Sequence, residues 1–143
     1  MRGRAGKIEK TSYETLAAFR WRLRQFLRFS ETTARSVGLS PQQHQALLAI
    51  KGFPGADAIL IGELAERLQT AHHSTVGLID RLARRGYLRR TRDTKDRRRV
   101  HLSVTAKGER VLERLSSFHR AQLKQIGPEL NRLLRELTRG GTR

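Results

Sequence analysis

Residues 61–90 of this 143-residue chain read IGELAERLQTAHHSTVGLIDRLARRGYLRR and contain two amphipathic segments separated by a short polar break. Each segment repeats its core-facing residues every three or four positions, as one face of a helix requires. These residues are Ile61, Leu64, Ala65 and Leu68 in the first segment and Thr75, Leu78, Ile79 and Leu82 in the second. Gly86 follows the second segment and is typical of a helix end. Two short helices joined by a tight turn predict a helix-turn-helix.

A charged loop between two strand-like segments follows this pair of helices. YLRRT (87–91) and VHLSV (100–104) are predicted strands, and the second alternates Val100, Leu102 and Val104 with polar residues. The loop between them, 92–99, is rich in arginine. The sequence therefore predicts a β-hairpin with an extended basic tip.

On the N-terminal side, the spacing of apolar residues predicts a helix from Tyr13 to about Ser36 that stops at Gly38. Ser40 is a predicted N-cap, with Pro41 at the first position of a second helix that ends at Gly52. The segment FPGADAIL (53–60) is too short in its apolar part to form more than an edge strand.

On the C-terminal side, Thr105 is predicted to cap a long helix, Gly127 and Pro128 to break it, and a last helix to follow. These elements predict a mainly α-helical fold with a small β-hairpin, of the α+β class, in a single domain over residues 1–143. A winged helix-turn-helix lobe over 41–105 is flanked by N- and C-terminal helices over 11–38 and 106–139.

The basic charge is concentrated in the predicted hairpin. Residues 81–105 carry a net charge of +8 out of the total of +17, which favours a polyanionic partner such as nucleic acid. Without cysteine there is no thiolate metal site or cysteine redox sensor, and no nucleophile-base grouping or phosphate-binding glycine loop predicts an enzyme or a cofactor. No apolar run predicts a membrane span or a secretory signal, so a cytoplasmic, nucleoid-associated protein is expected.

The second helix of the pair has the size of a helix that enters the major groove of B-DNA. Its candidate DNA-binding residues are His72, His73, Ser74, Val76, Gly77, Arg81 and Arg84. Histidine and serine can donate to base edges, valine can contact a thymine methyl group, and a glycine lets the backbone approach closely. Because adjacent residues on a helix point about 100° apart, His72 and His73 do not predict a metal site.

The hairpin loop contains two carboxylates that a purely electrostatic patch would not need. Its candidate DNA-binding residues are Lys95, Asp96, Arg97, Arg98 and Arg99. An aspartate can hold a neighbouring guanidinium in one orientation, or it can accept from the backbone of its own turn. The turn-shaping role is favoured for Asp93, and both roles stay open for Asp96.

From GLSPQQHQALLAI (38–50) to RDTKDRRRVHLSVTAKG (92–108), the sequence resembles the MarR family (multiple antibiotic resistance regulators) of winged helix-turn-helix transcription factors. The most specific parts are LIDRLARRGYLRR (78–90) and the wing pattern D-x-[RK]-D-x-R at Asp93, Lys95, Asp96 and Arg98. The Val104-Thr105-x-x-Gly108 motif follows it. The resemblance implies an obligate homodimer on a pseudo-palindromic DNA operator, with Arg98 of each wing, oriented by Asp96, in a flanking minor groove.

Two departures from the family pattern limit which properties of the family can be expected of this chain. Gly77 stands where a polar or basic residue is common, so base preference does not transfer, and peroxide sensing through cysteine is excluded. The resemblance also implies a small aromatic or phenolic ligand, for which Trp21, Arg24, His44 and Phe118 are candidate lining residues. The alternative, which we favour, is that the two aromatic residues form the dimer core, Arg24 is surface and His44 lies on a helix face.

The terminal helices have apolar faces for which a dimer interface is the favoured explanation over packing within one chain. The candidate interface residues are Leu16, Phe19, Leu23, Leu130, Leu133, Leu134 and Leu137. The predicted function is that of a ligand-responsive, sequence-specific transcriptional repressor. The alternatives are a sequence-neutral basic nucleic-acid-binding protein and, further off, a binder of anionic membranes.

Overall fold

The computed structural model describes residues 6–55 and 58–139. In chain order the elements are α1 (Lys10–Ser36), α2 (Pro41–Lys51), β1 (Ile59–Leu60), α3 (Ile61–Leu68), α4 (His72–Arg84), β2 (Leu88–Arg92), β3 (Val100–Val104) and α5 (Ala106–Arg139). The predicted class, mainly α with a small β-hairpin, is confirmed.

The end of α1 and the start of α2 lie where local sequence chemistry predicts them, whereas α1 begins at Lys10, three residues before the predicted Tyr13. The Ser40 hydroxyl accepts from the Gln43 amide and the Gln43 side chain accepts from the Ser40 amide, a reciprocal cap with Pro41 at the first helical position. At the end of α1, Gly38 has a φ of 80° and donates to the Arg35 carbonyl, while Leu39 donates to the Ala34 carbonyl. This pair of bonds is a Schellman motif, and its left-handed residue favours glycine.

The hairpin is part of a three-stranded antiparallel sheet in the order β1-β3-β2. Leu102 on the central strand faces Ile59 on one side and Arg90 on the other. The two-residue strand β1 is an edge strand, as predicted from its length. It shields one edge of β3, and Leu102 is fully buried as a result.

The chain forms two units, and the one over residues 31–118 is called the central unit. Its core contains apolar residues from all three strands and from α2, α3 and α4. The most fully buried are Leu39, Leu47, Ile50, Ile59, Leu64, Ile79, Leu82, Leu102 and Leu115. The central unit therefore has a hydrophobic core of its own, built around the helix-turn-helix and the sheet.

The other unit, called the terminal-helix unit, comprises residues 6–30 and 119–139 among those described. The Arg22 Nε lies 2.8 Å from the Glu129 carboxylate, and the His119 Nε2 lies 2.7 Å from the Ser30 Oγ. The His119 ring also contacts Phe26 and Phe29 edge-on, with centroids 5.8 and 5.7 Å away. These contacts pack the α5 segment of the unit against its α1 segment.

The predicted break at Gly127 and Pro128 is wrong, because α5 runs unbroken from Ala106 to Arg139. A proline inside a helix removes one amide donor and costs about 3 kcal/mol. Packing beyond the proline outweighs this cost, since Leu133 is 3% exposed and Leu130 and Leu137 are half-buried. The predicted cap at Thr105 is confirmed by a hydrogen bond of 3.2 Å from the Gly108 amide to its hydroxyl.

Candidate nucleic-acid interface

The helix α4 has one face in the core of the central unit and one face in solvent. Its buried residues are Thr75, Leu78, Ile79 and Leu82, the four that the sequence pattern predicted. Because the buried stripe follows the helical period, the opposite face is left to the predicted DNA-binding residues. Of these, His72, His73, Ser74, Arg81 and Arg84 are exposed, and Val76 and Gly77 are half-buried.

The turn before α4 is held by backbone and hydroxyl hydrogen bonds. Gln69 adopts a left-handed conformation with a φ of 54°, and the Thr70 amide donates to the Ala65 carbonyl. The Thr75 hydroxyl donates to the Ala71 carbonyl at 3.0 Å and lies 2.8 Å from the Thr70 hydroxyl. Ala71, the N-cap of α4, has no side chain that accepts from the first turn. The first amides of α4 therefore remain available to an outside acceptor such as a phosphate oxygen.

The far end of α4 is tied to the wing by contacts that the sequence did not reveal. Gly86 has a φ of 77° and donates to the Ala83 carbonyl, which turns the chain into β2. The Arg85 guanidinium donates to the Gly38 carbonyl at 2.7 Å and lies 5.0 Å from the Tyr87 ring centroid. An ion pair joins Asp80 of α4 to Arg90 of β2. The helix and the hairpin are thereby fixed in one geometry.

A groove of about 430 Å³ lies beside the N-terminal half of α4. It is lined by Ser40, Gln42, Gln43, Thr70, Ser74, Leu78 and Arg81. Ser74 and Arg81 were predicted DNA-binding residues, whereas the contribution of α2 was not predicted. The groove adds hydroxyl and amide groups, and the amino end of α2, to the surface around the exposed face of α4.

The wing loop is a tight, hydrogen-bonded turn and not an open charged tip. The Asp93 amide donates to the Arg99 carbonyl at 2.9 Å, which continues the ladder of β2 and β3 past Arg92. Within the loop, the Asp93 Oδ1 accepts from the Lys95 amide at 2.8 Å and the Asp96 Oδ1 from the Arg98 amide at 3.0 Å. Both aspartates thus form Asx turns. The side chains of Lys95, Arg97, Arg98 and Arg99 are all exposed.

The two roles left open for Asp96 can now be compared with its contacts. Its carboxylate bonds the backbone of Arg98, and no ion pair joins it to an arginine within residues 6–55 and 58–139. Asp96 therefore supports Arg98 by shaping the peptide chain that carries it. The contact thus runs to the Arg98 amide and not to its guanidinium.

Asp93 links the loop to β3, and the stability of this link depends on pH. The hydrogen bond from the Lys95 amide, followed by the bond with the His101 ring at 3.2 Å, lowers the pKa of the Asp93 carboxyl below its usual value. A lowered folded-state pKa means that the ionised form stabilises the folded loop. This contribution is complete above the unfolded-state pKa and is lost as the pH falls through the lower, folded-state pKa.

We therefore expect the Lys95 amide resonance to titrate with a midpoint below the usual range of aspartate, followed by nuclear magnetic resonance between neutral pH and strong acid. The variant Asp93→Asn is the control, and its Lys95 amide should show no such titration. A midpoint in the usual range, or the same titration in the variant, would contradict the assigned hydrogen bonds.

Part of the sequence resembles that of known transcription regulators. A sequence model of the MarR family matches residues 37–99. The HTH-type transcriptional repressor MdtR of Bacillus subtilis (strain 168) is 30% identical over 84 residues, which are 59% of this chain and 52% of that protein. The chain thus spans about half the length of this curated relative. Over residues 37–99 the chain is thus similar to the MarR family.

The MarR fold extends beyond the matched segment. The structure of a MarR family protein from Bacillus stearothermophilus has a TM-score of 0.76 at 23% identity and covers 96% of this chain and 100% of that one. Streptococcus pneumoniae FabT in complex with DNA has a TM-score of 0.73 at 22% identity and covers 89% and 93%. Two of these similar proteins are known as transcription regulators, MdtR as a repressor and AbsC of Streptomyces coelicolor as a MarR family transcriptional regulator.

The four residues predicted to line a MarR-type ligand pocket are divided between the units. Trp21 and Arg24 are exposed on the terminal-helix unit. In the central unit, His44 is buried in α2 at 4% exposure and Phe118 is 45% exposed. A separate cavity of about 310 Å³ within the central unit contains none of the four. It is lined by Glu31, Arg35, Pro41, Gln42, Gln45, Leu68, Thr70 and Leu78.

The predicted dimer-interface residues all belong to the terminal-helix unit and differ in exposure. Leu16, Leu23 and Leu134 are 47%, 37% and 48% exposed. Phe19, Leu130 and Leu137 are half-buried, while Leu133 is already buried within the chain. The exposed members are therefore the ones with apolar surface left for a partner.

Within 6–55 and 58–139, no group of three or more His, Cys, Asp or Glu side chains is arranged to hold a metal ion. Among the helices of the same residues, none is long and apolar enough to cross a membrane.

Proposed function

We propose that this chain is a homodimeric, sequence-specific repressor of transcription that binds double-stranded DNA and responds to a small ligand. The observation that carries the proposal is the joint geometry of α4 and the wing. A helix with an exposed polar face is fixed by the Asp80–Arg90 ion pair to a hairpin whose loop exposes Lys95 and Arg97–Arg99. A major-groove reader and an adjacent minor-groove arm are the two parts that winged DNA-binding proteins need.

The two ends of α4 suit different roles on DNA. His73 and Ser74 lie in the first turn, where side chains of a recognition helix reach base edges, and half-buried Val76 can contact a thymine methyl group. Arg81 and Arg84 lie about two to three turns later and suit phosphates. The similarity to the HTH-type transcriptional repressor MdtR and to the structure of FabT in complex with DNA supports this assignment.

A homodimer is proposed because the terminal-helix unit leaves much apolar surface uncovered. Tyr13, Leu16 and Leu27 are 57%, 47% and 52% exposed on α1, and Leu134 is 48% exposed on α5. Exposed apolar residues that recur on one side of a helix are typical of an association surface. A two-fold dimer would offer two α4 helices to a pseudo-palindromic operator.

The proposed ligand is a small aromatic or phenolic carboxylate. Trp21 and Arg24 lie three residues apart on α1, both exposed, and offer an aromatic face and a cation to such a molecule. Adding 2-hydroxybenzoate to the protein-operator complex is expected to release DNA. Unchanged operator affinity across a benzoate and phenol series would remove the ligand response from the proposal.

The central test compares specific with non-specific DNA. The protein is titrated at about 150 mM salt against duplexes tiling the DNA upstream of its own coding region and against a scrambled duplex. A regulator should prefer its site by roughly a thousandfold or more. Equal affinity for all duplexes would overturn the proposal in favour of a sequence-neutral nucleic-acid-binding protein.

Removing the wing arginine should weaken operator binding without unfolding the protein. Arg98→Ala is expected to cost about 1 to 3 kcal/mol of operator binding, because an exposed guanidinium no longer enters the minor groove. Arg67→Ala, an exposed arginine on α3, is the matched control and should change affinity little. Equal affinity of the Arg98 variant and the unchanged protein in the titration would remove Arg98 from the interface.

Substituting Asp96 distinguishes two explanations of the wing loop, because the substitution makes the protein more positive. If only the charge of the loop matters, DNA binding should tighten, whereas it should weaken if the shape of the loop matters. Asp96→Ala removes the acceptor for the Arg98 amide and is expected to weaken operator binding about threefold to thirtyfold, within the value of one or two hydrogen bonds. Asp96→Asn keeps an acceptor oxygen at this position and should retain most of the affinity. Tighter binding of the alanine variant would mean that only the net charge of the loop matters.

A further inference from the structure

The outer face of α5 in the terminal-helix unit carries a row of cations. Arg120, Lys124, Arg135 and Arg139 are exposed, and their spacing places them on one side of the helix. Pro128 and Asn131 fill the row between them and are also exposed. The row contains no acidic residue, and the unbroken course of α5 through Pro128 keeps it continuous.

Both acidic residues of this segment pair with cations outside the row, and Glu136 lies about one helical turn before Arg139. Glu129 pairs with Arg22 of α1 at 2.8 Å. Glu136 pairs with Arg132 at 2.9 Å and accepts from the Thr15 hydroxyl at 3.4 Å. Within the described residues, none of the four cations of the row takes part in an ion pair. The row is therefore a surface of one sign of charge.

Helix stability alone does not account for this arrangement. Arg120 and Lys124 are four residues apart, as are Arg135 and Arg139, and like charges at this spacing destabilise a helix. Cations near the C-terminal end favour the helix dipole, but Arg120 and Lys124 are three or more turns from that end. An anionic partner would offset the repulsion between these side chains, because each cation would be attracted to it.

We propose that this row binds the sugar-phosphate backbone of double-stranded DNA, as a contact separate from α4 and the wing. The four cations extend over about 28 Å at 1.5 Å per residue, close to the pitch of one turn of B-DNA, about 34 to 36 Å. Cations on such a row contact phosphates without reading bases. The proposal goes beyond operator recognition, because it requires neither a specific site nor the recognition helix.

DNA suits the row better than a membrane surface does. A helix that lies on a membrane buries a broad apolar face beside its basic residues. The row itself offers only Pro128 and Asn131 between the cations, and of the exposed leucines beside it, Leu123 and Leu134 at 42% and 48%, Leu134 belongs to the proposed dimer interface. Charge complementarity without apolar insertion is the pattern of phosphate-backbone binding.

The test uses full-length protein in which the wing is first disabled by Arg97→Gln, Arg98→Gln and Arg99→Gln. The probe is a labelled random-sequence duplex of about 60 base pairs at about 50 mM salt, where backbone contacts are strong. The row is then neutralised by Arg120→Gln, Lys124→Gln, Arg135→Gln and Arg139→Gln. A matched control neutralises four exposed cations of α1 and its approach in the same unit, Lys7, Arg20, Arg24 and Arg28.

Neutralising the row is expected to weaken binding to the random duplex at least about tenfold, while the control weakens it much less. The slope of log affinity against log salt should fall by about three to four, since each lost phosphate contact removes about 0.9. An unchanged affinity overturns the proposal. Equal losses in the row variant and the control also overturn it, since binding would then follow net charge alone.

Two further measurements distinguish a lost DNA contact from a folding defect and from membrane binding. Replacing the three arginines of the row by lysine keeps the charge and should restore most of the binding, whereas a folding defect would not be rescued in this way. Flotation with vesicles containing phosphatidylserine, run on the same proteins, should show no dependence on the row. Vesicle binding that depends on the row, with DNA binding unaffected, would replace DNA by a membrane as its partner.

These results are independent of the proposed repressor function. Failure of operator specificity would leave the row intact as a DNA contact, because the probe has no operator. Failure of the row would leave operator recognition by α4 and the wing intact.

Discussion

A protein carrying both Leu16→Glu and Leu23→Glu is expected to be a folded monomer that no longer binds its operator. Both leucines lie on α1 with 47% and 37% of their surface exposed, so glutamate should be tolerated within one chain. In the proposed dimer four such side chains would bury their remaining exposed surface, each contributing roughly 0.6 to 1.4 kcal/mol, and each glutamate would instead bury a charge. Losing them should raise the dimer dissociation constant at least about a thousandfold, since 1.4 kcal/mol is tenfold.

Operator binding should fall with the dimer, because one recognition helix reads only one half of a palindrome. Sedimentation velocity gives the association state, and a titration of operator DNA gives the affinity. The matched control is Leu48→Glu, which introduces the same change at a leucine that is 49% exposed on α2 of the central unit. A variant that remains dimeric with glutamate at positions 16 and 23 would exclude this face of α1 from the interface.

Gly108→Val is expected to destabilise the central unit by about 3 kcal/mol or more, because the site has no room for a side chain. A Cβ atom at this position would collide with the Tyr87 carbonyl oxygen and lie 2.7 Å from the Val104 Cγ1. The obstacle is partly backbone, so a rotamer change does not relieve it. Urea unfolding followed by circular dichroism measures the loss.

The same helix offers a matched control for Gly108. Gly127 also lies within α5, but nothing is found within 4 Å of a Cβ atom built there. Gly127→Ala should therefore stabilise the protein by about 0.5 to 1 kcal/mol, the usual advantage of alanine over glycine in a helix. A gain in stability at position 108 as well would mean that the contact with Tyr87 does not exclude a side chain there.

Sequence chemistry predicted the helix ends well because they depend on neighbouring residues. The reciprocal cap of Ser40 and Gln43 and the left-handed turn at Gly38 involve groups within five residues of each other. The buried face of α4 was also predictable, since a helix in a small domain must bury its apolar stripe. In each case the decisive interaction lies inside a short window of sequence.

The remaining features depend on partners that are distant in sequence. Pro128 reads as a helix break unless the burial of Leu133 is known. The pairing of Ile59 with Leu102, and the bond from Arg85 to Gly38, join residues more than 40 positions apart. The partner of the Asp96 carboxylate could not be predicted for a different reason. The backbone amide and the guanidinium of Arg98 belong to the same residue, and only the structure shows that the amide is the donor.

Ala71, the N-cap of α4, makes no side-chain hydrogen bond to the first turn of the helix. Serine or aspartate at this position would accept from the first turn and typically contribute about 1 kcal/mol. A chain under selection for heat resistance alone should acquire such a residue, whereas a chain under selection for DNA affinity should keep these amides open to phosphate. In divergent descendants of this sequence, the amino acid at position 71 would thus indicate whether selection for stability or for DNA affinity was the stronger.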